Sequence, residues 1–136
     1  AHPLCEYCAT GDSHQCETYG EHGITGLQGG LAEVVVIPAV NAVKRGRALP
    51  AEQAALTEPL ACILHAHAAV MKASGGARYR LDTTDSGARV QTALIAGAGP
   101  AGLLFLQHLR HVVGFEGRIL VSEPNPARQA LARHYG

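Results

Sequence analysis

One segment restricts the architecture of this chain more than any other. The apolar run Val90–Ala96 (VQTALIA) leads directly into Gly97-Ala98-Gly99-Pro100-Ala101-Gly102, and an apolar stretch, Pro100–Val113, follows. The run reads as a strand and the stretch after it as a helix, with Pro100 suited to the first helical turn. Arg118–Ser122 (RILVS) then reads as a second strand of this unit and Pro126–Tyr135 as a second helix. Strand, helix, strand, helix over residues 90–135 implies a parallel sheet, because parallel strands need a crossover and a helix supplies it.

The turn itself is G-x-G-x-x-G, a weak signal alone and a stronger one between a strand and a helix. Gly97 permits the tight turn, Gly99 lets the backbone approach a pyrophosphate, and Gly102 allows close packing of helix on strand. Pro100 and Ala101 complete a helix N-terminus whose N–H groups and positive dipole end suit phosphate. Glu123 follows the next strand, close to the offset of about 20 residues expected of the acid that bonds the adenosine ribose. A carboxylate there favours NAD and repels the 2′-phosphate of NADP. Arg128 stands near enough in sequence to lie against the same ribose, which leaves a phosphate-binding alternative open. The bland reading of the glycines is a plain strand-to-helix turn.

The N-terminal 30 residues are rich in Cys, His and Gly and have little apolar periodicity. A segment of that length without regular structure needs a metal or disulfides to order it. Cys5, Cys8 and Cys16 form C-x2-C-x7-C, and His2 precedes Cys5 by three positions. Two thiolates two residues apart can turn onto one ion, and a third after the Gly11 loop can close a tetrahedron with a fourth ligand, the pattern of structural zinc. His2 is the expected fourth ligand, with His14, Glu17 and His22 as competitors. Disulfides would leave one of the three unpaired, a redox C-x2-C belongs in a βαβ setting, and an iron–sulfur cluster prefers four cysteines. Cys62 falls in an apolar helix and is expected to be a small buried hydrophobe.

Between these motifs, Leu31–Pro38 (LAEVVVIP) is short and β-branched and reads as a strand. Asn41–Pro50 is a basic loop. Residues 51–56 read as a short helix and those from Pro59 to Ala73 as a longer one, because proline interrupts a continuous helix. Ser74–Gly87 reads as an exposed loop. Hydrophobic residues make up 47% and charged residues 16%, which excludes a solvated disordered chain. Lys plus Arg equals Asp plus Glu at 11, so no strong field for nucleic acid or anionic lipid is expected. No uninterrupted apolar run reaches the ~18 residues of a membrane span, and Ala1-His2-Pro3 does not open a signal peptide. A cytoplasmic location is expected. The only Met is Met71, and the sequence ends within a helix, which suggests a fragment of a longer protein.

Taken together, the chain resembles the zinc-containing medium-chain dehydrogenases, in particular their polyol (sorbitol-type) branch. That family's zinc lobe is C-x2-C-x2-C-x7-C, matched here by Cys5, Cys8 and Cys16, with His2 at the first position. Further matches are Gly29-Gly30-Leu31-Ala32-Glu33-Val34-Val35, the segment Ala54-Ala55-Leu56-Thr57-Glu58-Pro59-Leu60-Ala61-Cys62, and the turn at Gly97. Residues Ser74–Arg89 look like an insertion. The resemblance implies part of a GroES-like, β-rich catalytic domain with the zinc lobe (residues 1–57), then a linker helix and the first βαβα half of a Rossmann domain (residues 58–136). It implies a zinc-dependent, NAD-linked oxidation of an alcohol or polyol, with a catalytic zinc held by residues outside this chain. By the same resemblance Glu58 faces that zinc and its water, and His65 lies near the nicotinamide. From the residues alone, Glu58 is a carboxylate at a helix N-terminus, and His65 and His67 are ordinary core or surface histidines. The expected parent is a homo-oligomer acting on a small molecule, inactive as the fragment alone, with no nucleic-acid or membrane partner. Two rivals are an iron–sulfur, FAD-dependent oxidoreductase, since GAGPAGL also suits an FAD turn, and a zinc-binding module without catalysis.

Overall fold

The computed structural model describes residues 4–73, 80, 81 and 83–136. It divides into two compact units, Ala1–Lys44 and Arg45–Gly136. Its regular structure is α/β, with two small parallel sheets of two strands each.

The first unit has no buried residue among those described, so apolar packing does not organise it. Its elements are a single helical turn α1 (Glu6–Ala9), a 3-10 turn (Ser13–Gln15), the short strands β1 (Glu21–His22) and β2 (Gly26–Leu27), and a second 3-10 turn (Ala39–Asn41). β1 and β2 pair with Glu21 opposite Gly26 and His22 opposite Leu27. Gly11, at φ +88°, occupies the left-handed region between α1 and the 3-10 turn, where a side chain would be strained. That reversal returns Cys16 to the side of Cys5.

The expected strand at Leu31–Pro38 is not formed; no described residue of it lies in a ladder. Its side chains stand in the open, Leu31, Val34 and Val36 being 105%, 79% and 88% exposed. β-branched composition expresses suitability for a pleated, half-buried surface, not a strand on its own. Without a neighbouring strand there is nothing to pair with.

In the second unit, α2 (Ala51–Ala54) precedes α3 (Thr57–Ala73), with the break at residues 55 and 56 and Pro59 inside the first turn of α3. The proline removes one of the N–H groups that a helix start leaves unbonded anyway. By length and composition Ala51–Ala73 is apolar enough to cross a membrane, although no uninterrupted run is that long. Alanines and leucines raise the mean, while Glu52, Glu58 and Lys72 interrupt the run. On α3, Ile63 is buried and His67 is bonded to a side chain beyond α4. The expectation for Cys62 is overturned. It is exposed, and its thiol donates to Glu58 Oε1 one helical turn back at 3.5 Å. The predicted loop after α3 falls largely on residues 74–79 and 82, outside those described.

β3 (Thr92–Ala96) and β4 (Arg118–Ser122) pair in parallel, from Thr92 opposite Arg118 to Ala96 opposite Ser122. Between them run α4 (Pro100–Gln107) and a π-helical turn (His108–Val112). The expected single helix to Val113 thus changes pitch at His108, where the Val113 N–H donates to the His108 carbonyl at 3.0 Å. α5 (Pro126–Tyr135) follows β4. Asn125 caps it, its Oδ1 accepting from the N–H groups of Ala127 (2.9 Å) and Arg128 (3.3 Å). The strands alternate in burial with period two. Ile95, Ile119 and Val121 pack with Leu103 on the buried cluster of Ala98, Leu106 and Ala132, while Leu94 and Leu120 face outward and are exposed.

Gly97 and Gly102 fit helix against strand. Gly97 has φ +96°. A Cβ on Gly102 would collide with the Gly97 carbonyl, whereas a Cβ on Gly99 would meet nothing within 4 Å. Gly102→Ala should therefore destabilise the unit by about 1–3 kcal/mol, the usual cost of overpacking. Gly99→Ala should lose well under half of that. Thermal unfolding followed by circular dichroism compares the two directly.

Candidate functional site

Three thiols meet in the first unit. The sulfurs of Cys5, Cys8 and Cys16 all lie within 4.8 Å of one another, and each residue is half-buried. Cys5 is the residue before α1 and Cys8 lies on it, so one helical turn brings them together; the Gly11 reversal supplies Cys16. Cys5 and Cys16 are 3.9 Å apart, far beyond the ~2.05 Å of a disulfide. None of the three is disulfide-bonded.

The electrostatics of the cluster suit a cation. Backbone N–H groups of Cys8 and Glu17 directed at the Cys5 sulfur bring its pKa down to about 7. Cys8 is pushed up to about 12, because the sulfurs of Cys16 and Cys5 crowd it and a further negative charge there is opposed. A metal ion would relieve that repulsion. Four sulfurs at ~2.3 Å from zinc stand about 3.8 Å apart, and the Cys5–Cys16 separation fits such an edge. Among the described residues no other His, Asp or Glu joins the group. His14, Glu17 and His22 are thus not brought into it. The Nδ1 of His22 instead lies 2.9 Å from the Gln28 carbonyl. His2 lies outside the described residues.

The second candidate site lies where β3 and β4 end side by side. The parallel register puts Ala96 opposite Ser122, so the glycine turn leaves one strand beside the place where Glu123 leaves the other. The Gly97 N–H donates to the Ser122 carbonyl at 2.8 Å. The Ala98 N–H donates to Glu123 Oε2 at 2.8 Å, and the Asn125 N–H donates to Oε1 at 2.9 Å. Gln129 braces the same residue, its Nε2 donating to the Glu123 carbonyl. These amide bonds, Asn125 first and Ala98 next, hold the Glu123 carboxyl below its ordinary range, with the Arg128 charge adding a little. Each carboxylate oxygen keeps a second lone pair for a ligand hydroxyl. Gly97, Ala98, Gly99, Pro100, Ala101, Gly102 and Glu123 therefore form one continuous feature. Arg128 is exposed on the first turn of α5.

Glu58 lies in the exposed first turn of α3 beside the Cys62 thiol, and His65 is exposed one turn beyond Cys62. Two features escaped the sequence reading. Asn125 and Gln129 brace Glu123, and Asn before Pro126 was a legible helix-cap signal. His67 and His108 are hydrogen-bonded across a gap that no motif spacing spans.

The fold and sites define an α/β protein with a three-thiol cluster and a glycine turn closed by a carboxylate. No family model and no solved structure matches the chain. Known proteins do. It is 32% identical to L-threonine 3-dehydrogenase of Pyrococcus abyssi over 133 residues, 97% of this chain and 32% of that protein. It is 30% identical to (R,R)-butanediol dehydrogenase of Saccharomyces cerevisiae over 132 residues, 97% of this chain and 30% of that protein. With D-altritol 5-dehydrogenase of Agrobacterium fabrum the figures are 32% over 132 residues, 97% and 35%. Similarity over nearly the whole chain thus runs to dehydrogenases named for threonine, butanediol and altritol. The chain spans about a third of the length of these relatives.

The depressed pKa of Glu123 has a definite sign in the pH dependence of stability. The folded state favours the ionised carboxylate, so its stabilisation is complete above the ordinary 4.5 and is lost as pH falls through the lower folded value. Glu123→Gln should lower the unfolding temperature at neutral pH and flatten its decline below about pH 4.5. Thermal melts across that range check it.

Proposed function

We propose that this chain forms part of a zinc-dependent, NAD-linked alcohol or polyol dehydrogenase. The carrying observation is the Glu123 carboxylate, held against the glycine turn by the Ala98 amide. Relatives named for oxidising threonine, butanediol and altritol support the reaction class. In this reading residues 1–57 belong to a GroES-like catalytic part and residues 58–136 to a linker helix and the first half of a Rossmann domain. Such an enzyme would be a cytoplasmic homo-oligomer with a small-molecule substrate and neither nucleic acid nor membrane as partner. The chain alone would not turn over.

The residues then divide the work. Cys5, Cys8 and Cys16 hold a structural zinc, with His2 as the proposed fourth ligand. The open space above Gly99 lets the pyrophosphate approach the backbone, and the N-terminus of α4 offers its unbonded N–H groups and dipole to the phosphates. Glu123 accepts hydrogen bonds from the adenosine ribose hydroxyls and meets a 2′-phosphate as a like charge. Arg128 lies against the same ribose. Glu58 faces the catalytic metal and His65 the nicotinamide. Bound NAD supplies the hydride acceptor, and a catalytic zinc supplies the Lewis acid that polarises the alcohol. The iron–sulfur and FAD reading is disfavoured by a three-sulfur cluster and by dehydrogenase relatives aligned across the chain.

Two expected outcomes test this reading. Cys8→Ser should lower zinc content, measured by atomic emission on the purified protein, from about one ion per chain to a small fraction of that. An unchanged zinc content would sink the metal site. Glu123→Ala removes the charged acceptor proposed for the two ribose hydroxyls. Calorimetric titration should show NAD affinity falling by more than about tenfold while the gap to NADP narrows. A wild type that prefers NADP would shift the assignment to Arg128 with Ser122.

A further inference from the structure

The His67–His108 pair has no role in either site. His67 lies on α3 and is half-buried; His108 opens the π-helical turn after α4 and is 5% exposed. Nε2 of His108 is 2.7 Å from Nδ1 of His67, and the rings meet edge to face with centroids 4.7 Å apart. Nδ1 of His108 is buried and has no hydrogen-bond partner among the described residues. A contact of 2.7 Å between two ring nitrogens holds one proton between them. Orphaned buried N–H groups are rarer than orphaned acceptors. The favoured arrangement therefore has His108 Nε2–H donating to His67, with only a lone pair facing the interior at Nδ1.

An added proton has no good place to go. On Nδ1 of His108 it makes a cation without a partner in the interior. On Nδ1 of His67 it forces the His108 proton over to Nδ1, which creates an unbonded buried N–H beside a charged ring. Two added protons set N–H against N–H, and the contact is lost. Burial first, and the neighbouring His67 second, hold His108 below the ordinary histidine range.

Among the described residues of α4, the π turn and α3, the charges do not relieve this. α4 carries no charged residue. In the π turn, Arg110 donates to the carbonyls of Phe115 (2.7 Å) and Gly117 (2.8 Å), and His111 is exposed. On α3, Glu58, His65 and Lys72 are exposed. His67 is the titratable group that acts on His108. Apolar packing gives α3 little other hold, because Ile63 is its one buried residue.

We propose that His67 and His108 form an acid-sensitive latch that fastens α3 to the end of α4, closed while both rings are neutral and opened by proton uptake. The latch contributes fully above the ordinary histidine value of 6.5 and is lost as pH falls below it. Opening frees the helix that carries Glu58 and Cys62. The latch stands on the geometry of the pair and does not depend on the dehydrogenase reading.

Hydrogen exchange of the full chain at about pH 8 and about pH 5.5, corrected for intrinsic exchange rates, tests it. The α3 amides should open several-fold more at the lower pH, up to about tenfold. The β3 and β4 amides should keep their protection. His67→Phe with His108→Phe should make α3 protection insensitive to pH across that range. Should the double variant not fold, His67→Gln keeps an acceptor for His108 and removes the neighbouring imidazole, and the α3 response should shrink. Equal α3 protection of the wild type at both pH values would overturn the latch. So would a variant that folds and keeps the full acid response.

Discussion

The second unit turns on one carboxylate. Glu123 leaves the end of β4 and accepts the N–H of Ala98, the almost fully buried residue inside the glycine turn. That bond ties the start of α4 to the end of the neighbouring strand, and the Asn125 amide ties the same carboxylate to the start of α5. Both helices of the βαβα unit therefore take their starting points from one side chain. A charged acceptor bonded to two amides is stronger than a neutral one. It also leaves lone pairs for a ligand, so the group that orders the turn is suited to the ribose chemistry proposed for it.

The first unit meets the same ordering problem differently. With no buried residue among those described, it relies on backbone bonds, a left-handed glycine and three converging sulfurs. A loop of this kind has little apolar area to offset the entropy of ordering it. A metal on the thiols would supply what the missing core does not, because ligand binding to the folded state is folding free energy. The opposed pKa values of Cys5 and Cys8 express the same fact, since negative charge on one sulfur opposes charge on its neighbour.

Local signals in the sequence were legible where local chemistry decides the structure. β4 and α5 lie where Arg118–Ser122 and Pro126–Tyr135 predict them, because alternation and a helix-starting proline act within a few residues. The thiol spacing anticipates the convergence of Cys5, Cys8 and Cys16. Readings that depend on distant partners fared worse. Leu31–Pro38 has strand composition and no ladder, since a strand exists only against another strand. Cys62 has a buried residue's chemistry but lies on an exposed part of α3. The His67–His108 bond joins residues 41 positions apart, and nothing local to either announces it.

The reading of the second unit depends on the proposal that Gly97–Gly102 and Glu123 together receive a dinucleotide. Titration of NAD into the isotope-labelled chain, followed by amide resonances, tests it most directly. Shifts are expected at residues 97–102 and 123–128, saturating together with one affinity, while the amides around Cys5, Cys8 and Cys16 stay still. No shift at the glycine turn at millimolar NAD, or shifts centred elsewhere in the chain, would contradict it.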